Sequence, residues 1–164
     1  MITDKLVTFA EGVAAGNTGT RIVGDVVDIK SLGADTNAGG DAGGLRDVGA
    51  GQPVYLEVSV DEAFAFSGTD FNYTVKLVSS SDSSDMTDAV VHMVSSDPNT
   101  STIAAGTVLL SAALPAEGAS AYKQYIGIQE VVVGTTTTGK INAHLTLDPR
   151  TAPTKVYPDN DAGF

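Results

Sequence analysis

The sequence predicts an all-β protein, a jelly-roll-like antiparallel β-sandwich with little helix, on three observations. Apolar and polar residues alternate singly along several runs, the period of a strand with one buried face. Gly, Asp, Asn, Ser and Pro separate those runs. Glycine, serine or a β-branched residue interrupts every candidate helix longer than two turns.

From the N-terminus, Met1–Lys5 sets an acid and a lysine before a short apolar patch that is neither a secretory core nor a membrane span, so a cytoplasmic protein is expected. Short helical turns are expected at Thr3–Phe9 and at Asp85–Ala89, where Ser84 or Asp85 supplies a cap. Arg21–Ile29, Val90–Val94 and Thr107–Leu110 are aliphatic or β-branched runs bounded by turn residues, and each reads as a strand. Val54, Leu56, Val58 and Val60 face one way and Tyr55, Glu57, Ser59 and Asp61 the other, with Pro53 at the strand start where its missing N–H is harmless. Phe71, Tyr73, Val75 and Leu77 repeat the device, and Asp61–Asp70 reads as the connection of an antiparallel hairpin between the two runs. A second hairpin is expected at the C-terminal side, with Tyr122–Val133 and Lys140–Leu147 joined by Gly134-Thr-Thr-Thr-Thr-Gly139.

In that hairpin Ile141, Ala143, Leu145 and Leu147 share the apolar face, whereas Lys140, Asn142, His144 and Thr146 share the polar one. Upstream the parity slips, because Ile126 and Ile128 lie on one face and Val131 and Val133 on the other. Either a β-bulge near Gln129-Glu130 brings both pairs to the core, or both faces are buried, one of them by another subunit. Residues 1–148 are read as a single domain with a glycine-rich loop at 33–44. Residues 149–164 hold Pro149, Pro153 and Pro158, which cannot continue a sheet, and are read as an extended arm that is disordered or docks on a neighbour through Arg150, Lys155, Val156, Tyr157 and Phe164.

Composition narrows the function. A chain of 164 residues fits one domain able to remove roughly 70% of its unfolded surface from water. The net charge of −11 argues against nucleic acid or anionic lipid as partner. With no Cys there is no disulfide, thiol nucleophile or Cys-based zinc site, and with no Trp there is little to line a deep ligand cavity.

The motifs add little chemistry. Gly33–Asp47 loosely follows a calcium loop, with oxygens at Asp35 and Asn37 and a turn glycine at Gly40, but Arg46 stands where a bidentate Glu belongs, so a plain loop is expected. Ser79–Asp88 carries Asp82, Asp85 and Asp88 among serines and reads as a solvated connection. His92 and His144 have no acid partner nearby in sequence, and no Gly-x-Ser-x-Gly, His-Glu-x-x-His or phosphate-binding glycine motif occurs. Surface or interface histidines are expected, without an enzyme site, cofactor or metal. Asn72-Tyr-Thr74 and Asn99-Thr-Ser101 are read as chance glycosylation sequons.

The order Arg46-Asp-Val-Gly-Ala-Gly-Gln-Pro53 with Val54–Val60, then Tyr73–Leu77 with its Ser/Asp loop, Leu114-Pro-Ala-Glu-Gly118, Tyr122–Val133, Gly134–Gly139 and Leu145-Thr-Leu-Asp-Pro149 resembles the cement, or decoration, proteins of tailed bacteriophages. The resemblance spans Arg46 to Pro149 and departs from the family at the glycine-rich segment before it. It implies a jelly roll, self-association into a homodimer, and binding to the outer surface of an icosahedral capsid of HK97-like major capsid protein, where the protein clamps neighbouring capsomers. It implies a place on the virion, after synthesis in the host cytoplasm, and no active site. Candidate interface residues are Tyr122, Tyr125, Val131 and Val133, with Tyr157 and Phe164 from the arm. The competing expectation is a carbohydrate-binding or adhesive β-sandwich module, in which Tyr55, Tyr73, Tyr122, Tyr125 and Tyr157 furnish a stacking platform.

Overall fold

A computed structural model describes residues 8–29, 53–96, 101–115, 122–147 and 149. The glycine-rich loop at 33–44, the N-terminal residues before Thr8, and the arm with Tyr157 and Phe164 lie outside them. The described residues hold seven strands and no helix: β1 (Thr8–Ala14), β2 (Gly19–Asp28), β3 (Tyr55–Ser80), β4 (Val90–Val94), β5 (Thr102–Ile103), β6 (Val108–Ala113) and β7 (Tyr125–Thr146). All pairings are antiparallel and the fold is all-β and sandwich-like, as the alternation predicts. Thr8 and Phe9, assigned above to a helical turn, open β1 instead. At Asp85–Ala89 the expected turn is present, closed by Ala89 N–H on the Met86 carbonyl at 3.1 Å.

Two expected hairpins are absent. The runs 54–60 and 71–77 do not pair with each other, nor do 126–133 and 140–147. Each pair of runs is one long strand, and β3 and β7 lie against each other along their whole length, from Tyr55↔Thr146 to Ser80↔Tyr125. The physical reason lies in the presumed connections. Thr135–Thr138 are β-branched and favour extended backbone, and neither segment carries the two-residue turn signal of a tight hairpin. What interrupts the ladder is a bend, where the register slips between Ser67↔Thr135 and Asn72↔Val133. Gly134, at φ +91°, sits at that slip, and a bend of this kind is how a strand passes from one layer of a sandwich to the other.

The bend divides the sheet into two layers. In the first, the order is β1, the C-terminal half of β7, the N-terminal half of β3, then β6 with β5. In the second it is β2, the N-terminal half of β7, the C-terminal half of β3, then β4. Both layers feed one hydrophobic core, in which Leu56, Val58, Ile141 and Ala143 of the first meet Val75, Leu77, Ile126 and Ile128 of the second. At the bend Phe64, Phe66, Phe71 and Tyr73 pack together, with the Phe64 and Tyr73 rings 4.5 Å apart. Phe64 lies over Gly139, where an added Cβ would come within 2.7 Å of the ring. No side chain fits there.

No bulge occurs at Gln129-Glu130. Residues 125–133 pair with β3 in unbroken register, and Gly19–Val23 do the same from β2. Ile126, Ile128, Glu130 and Val132 therefore all point into the core, and Val131 and Val133 point out. The parity slip in the sequence marks a carboxylate in a core position.

Candidate functional site

That carboxylate organises the mouth of the bend. Glu130 is fully buried, and it sits opposite Arg21 on β2 and Val75 on β3. Its Oε1 accepts from the Gly16 amide at 2.7 Å and from Arg21 Nε, and its Oε2 accepts from the Tyr73 hydroxyl at 2.8 Å. Arg21 also donates to the Ala14 carbonyl, so one buried acid ties the β1–β2 connection, β2, β3 and β7 together. Burial, then the charge of Glu130, pushes the Tyr73 hydroxyl far above the usual phenol range, so Tyr73 stays a donor at any working pH. A fully buried acid that accepts from three donors on three segments is a structural knot.

A second cluster closes the far end of the second layer. Ser79 is buried, its Oγ accepting from Lys123 N–H at 3.0 Å and lying 2.7 Å from His92 Nε2. With the Lys123 amide donating to it, the Ser79 hydroxyl still has its hydrogen and a second lone pair, so it pairs with either tautomer of the imidazole. Burial holds His92 below the usual histidine value. The His92 ring stacks on Tyr122 with centroids 4.1 Å apart, and the Tyr122 hydroxyl donates to the Pro115 carbonyl at 3.1 Å. A serine beside a histidine has the contact of a hydrolase pair. Here the hydroxyl is sealed in the ladder, so the pair locks β4 to the lead-in of β7. The sequence concealed it because residues 79 and 92 meet only through the β3–β4 pairing, whose bulge at His92 turns that ring toward Ser79.

The His92 pair carries a pH prediction. A histidine whose folded pKa lies below its unfolded value contributes full stability above about pH 6.5, and that contribution falls as pH drops through the folded value. Thermal melts between pH 7.5 and 5 should show wild type losing stability toward acid, and His92→Gln should flatten that slope; an unchanged slope would refute the assignment.

The Ser/Asp connection after β3 is less loose than the sequence suggests. Asp88 accepts from the Ser80 and Ser81 hydroxyls, from Ser81 N–H at 3.1 Å, and from Lys123 Nζ at 2.6 Å, and these donors, Lys123 first, hold its carboxyl well below the usual range. Lys123 thus supplies the cation inside this acidic loop. Met86, in left-handed backbone at φ +51°, packs on Gly127, where an added Cβ would lie 2.9 Å from its sulfur. The loop therefore lies over the outer face of the second layer at Val78 and Gly127.

His144, expected at a surface or interface, is buried, directly opposite Glu57 in the β3–β7 ladder, and Glu57 is fully buried as well.

The candidate interface residues separate. Tyr122 is buried and bound within the fold, so it leaves the set. Tyr125 is half-buried, its hydroxyl accepting from Gln124 at 3.0 Å. Val131 is half-buried and Val133 is 43% exposed, both on the outer face of the second layer. The ladder adds neighbours there: Thr20 and Thr74 flank Val131, and Ile22, Gln129, Lys76 and Val94 form the next row. Val94 and Val91 are 52% and 45% exposed, and the bulge at His92 puts both on this outer face. From Val133 to Val91 the paired outer positions hold one charged side chain, Lys76, in a chain of net charge −11. No pattern within β4 announced Val91 and Val94, since their shared face depends on the bulge. Of the five tyrosines named for a stacking platform, Tyr73 and Tyr122 are buried and Tyr55 and Tyr125 are half-buried.

A sandwich-like all-β domain with buried polar knots and an apolar outer face is thus the class of protein defined here. The chain belongs to the Bbp16 family, whose model matches residues 9–145. No curated protein matches the sequence.

Proposed function

We propose that the protein is a structural virion component that binds the outer surface of an icosahedral phage capsid and clamps neighbouring major capsid proteins of HK97-like fold, with no catalytic role. One observation carries the reading: the outer face of the second layer, with Val133, Val131, Ile22, Val94 and Val91 around a single Lys76, offers a β-branched, nearly uncharged surface on an otherwise acidic protein. Apolar patches of this kind on acidic domains are partner surfaces. The resemblance of Arg46–Pro149 to phage cement proteins supplies the partner, and the −11 charge keeps a densely decorated particle soluble. Folded-over strands fixed at the bend by Glu130 suit a clip that must resist pulling.

Co-sedimentation of the purified protein with shells that lack it tests the proposal. Saturable binding is expected, and Val133→Asp should weaken it by about tenfold or more by burying an unpaired carboxylate in the interface. Circular dichroism should be unchanged, because the Val133 side chain is on the outside. Absence of any shell binding by wild type would overturn the proposal.

A further inference from the structure

Arg21, Lys76, Lys123 and Lys140 are the lysines and arginines of the described residues, and all but one are engaged inside the fold. Arg21 meets Glu130, Lys123 meets Asp88 at 2.6 Å, and Lys140 meets Glu62 at 2.8 Å. Among the described residues Lys76 alone has no carboxylate beside it, in a chain with 20 acidic residues to 9 basic ones.

The ladder sets that isolation. Lys76 lies on β3 opposite Val94 of β4 on one side and Gln129 of β7 on the other, and Ile22 of β2 completes the row. Thr74 precedes it on the same face. The acids closest along these strands are held elsewhere: Glu130 is buried in the core with Arg21, and Asp88 is held by Lys123, Ser80 and Ser81. Lys76 is half-buried among its neighbours. A partner that covers this face has to desolvate the ammonium group, and a buried charge without a counter-charge is strongly unfavourable. On a chain of net charge −11 the same group draws an acid to this row of the face.

We infer that Lys76 is the specificity-determining residue of this face, and that the protein partner it fits presents an Asp or Glu carboxylate to the Lys76 ammonium within an apolar surround. The inference rests on the proposed shell-binding role of the face and adds the chemistry of its partner. Rows of valine and isoleucine accept an apolar partner at several offsets, whereas one ion pair among them admits a single register. A lysine that served only to keep an apolar sheet face soluble would make the opposite prediction for its removal.

Co-sedimentation of the full chain with shells that lack it, comparing wild type with Lys76→Met and Lys76→Arg, tests the inference. Methionine keeps the unbranched apolar stem and removes the charge, which strands the partner's carboxylate. Binding should weaken by roughly tenfold or more, while Lys76→Arg should stay within about threefold of wild type. If the lysine serves solubility alone, Lys76→Met binds as well as wild type or better, because the interface has lost a group it had to desolvate. That result would overturn the inference and leave shell binding intact. A second measurement needs no variant: a water-soluble carbodiimide joins an amine to a carboxylate in contact with it as an amide. On wild type bound to shells it should couple Lys76 to an Asp or Glu of the shell protein, identified by mass spectrometry of the joined peptides. Coupling that spares Lys76 would also overturn the inference. Wild type that binds no shell would remove the proposed function itself, and this inference with it.

Discussion

Arg21→Ala is expected to lower the melting temperature by roughly 4–12 °C, a loss of about 2–3 kcal/mol in a chain of this size. Removing one partner of a buried pair leaves a carboxylate in the core without its counter-charge. The figure stays below that of a fully buried pair because the Arg21 side chain is 45% exposed. Glu130 would keep only the Gly16 amide and the Tyr73 hydroxyl. A second substitution separates charge from packing. Glu130→Gln in the Arg21→Ala background replaces the stranded charge by a neutral group of the same size, and it should restore part of the loss. Thermal melts of the four proteins of the cycle measure this; a double variant less stable than Arg21→Ala alone would show that Glu130 is not stressed by the missing cation.

Gly24→Ala is expected to cost roughly 3 kcal/mol or more, through backbone and not through any lost contact. Gly24 has φ +69°, in the left-handed region, and a Cβ there would overlap the Phe9 carbonyl oxygen and press on the Ala10 backbone of β1. It sits where the register of β2 against β7 slips between Val23 and Val27, so the bend of β2 depends on it. Gly106 is the control, because it has φ +82° but open space around its missing Cβ. Gly106→Ala should therefore cost only the strain of the conformation, about 1–2 kcal/mol. In urea titrations both midpoints should fall with unchanged slope, Gly24→Ala by clearly more. Equal midpoints would mean that β1 simply moves aside.

The faces of individual strands were legible because alternation is a local property. Leu56, Val58, Val60, Tyr73, Val75, Leu77, Ile141 and Ala143 are all buried as their spacing predicts. The hidden side of the same strands was less legible. Glu57, His144 and Ser79 occupy positions whose polarity reads as solvent-facing, yet all three are buried, and the partners of Ser79, His92 and Lys123, come from other parts of the chain. Val131 and Val133 were correctly singled out as belonging to the face opposite Ile126 and Ile128, but the reason was Glu130 and not an extra residue. Tyr122 shows the opposite failure, since an aromatic side chain near a loop reads equally as a binding group or as a lid on the core, and its stack on His92 makes it the latter.

The sequence by itself determined the class of fold, the inward positions of 56–60, 73–77 and 141–143, and the acidic, cysteine-free composition, because these follow from residue types taken a few at a time, whereas Leu147, placed by the same alternation on the apolar face, is exposed. Only the tertiary structure decided that 54–77 and 126–147 are two bent strands and not two hairpins, that a glutamate belongs in the core, and that Val91 and Val94 share an outer face with Val131 and Val133. Those facts rest on pairing between residues as distant as Tyr55 and Thr146, and on the hydrogen bonds that make a buried charge tolerable. A local pattern states which way a side chain points from its own strand; what waits for it there is settled by the rest of the chain.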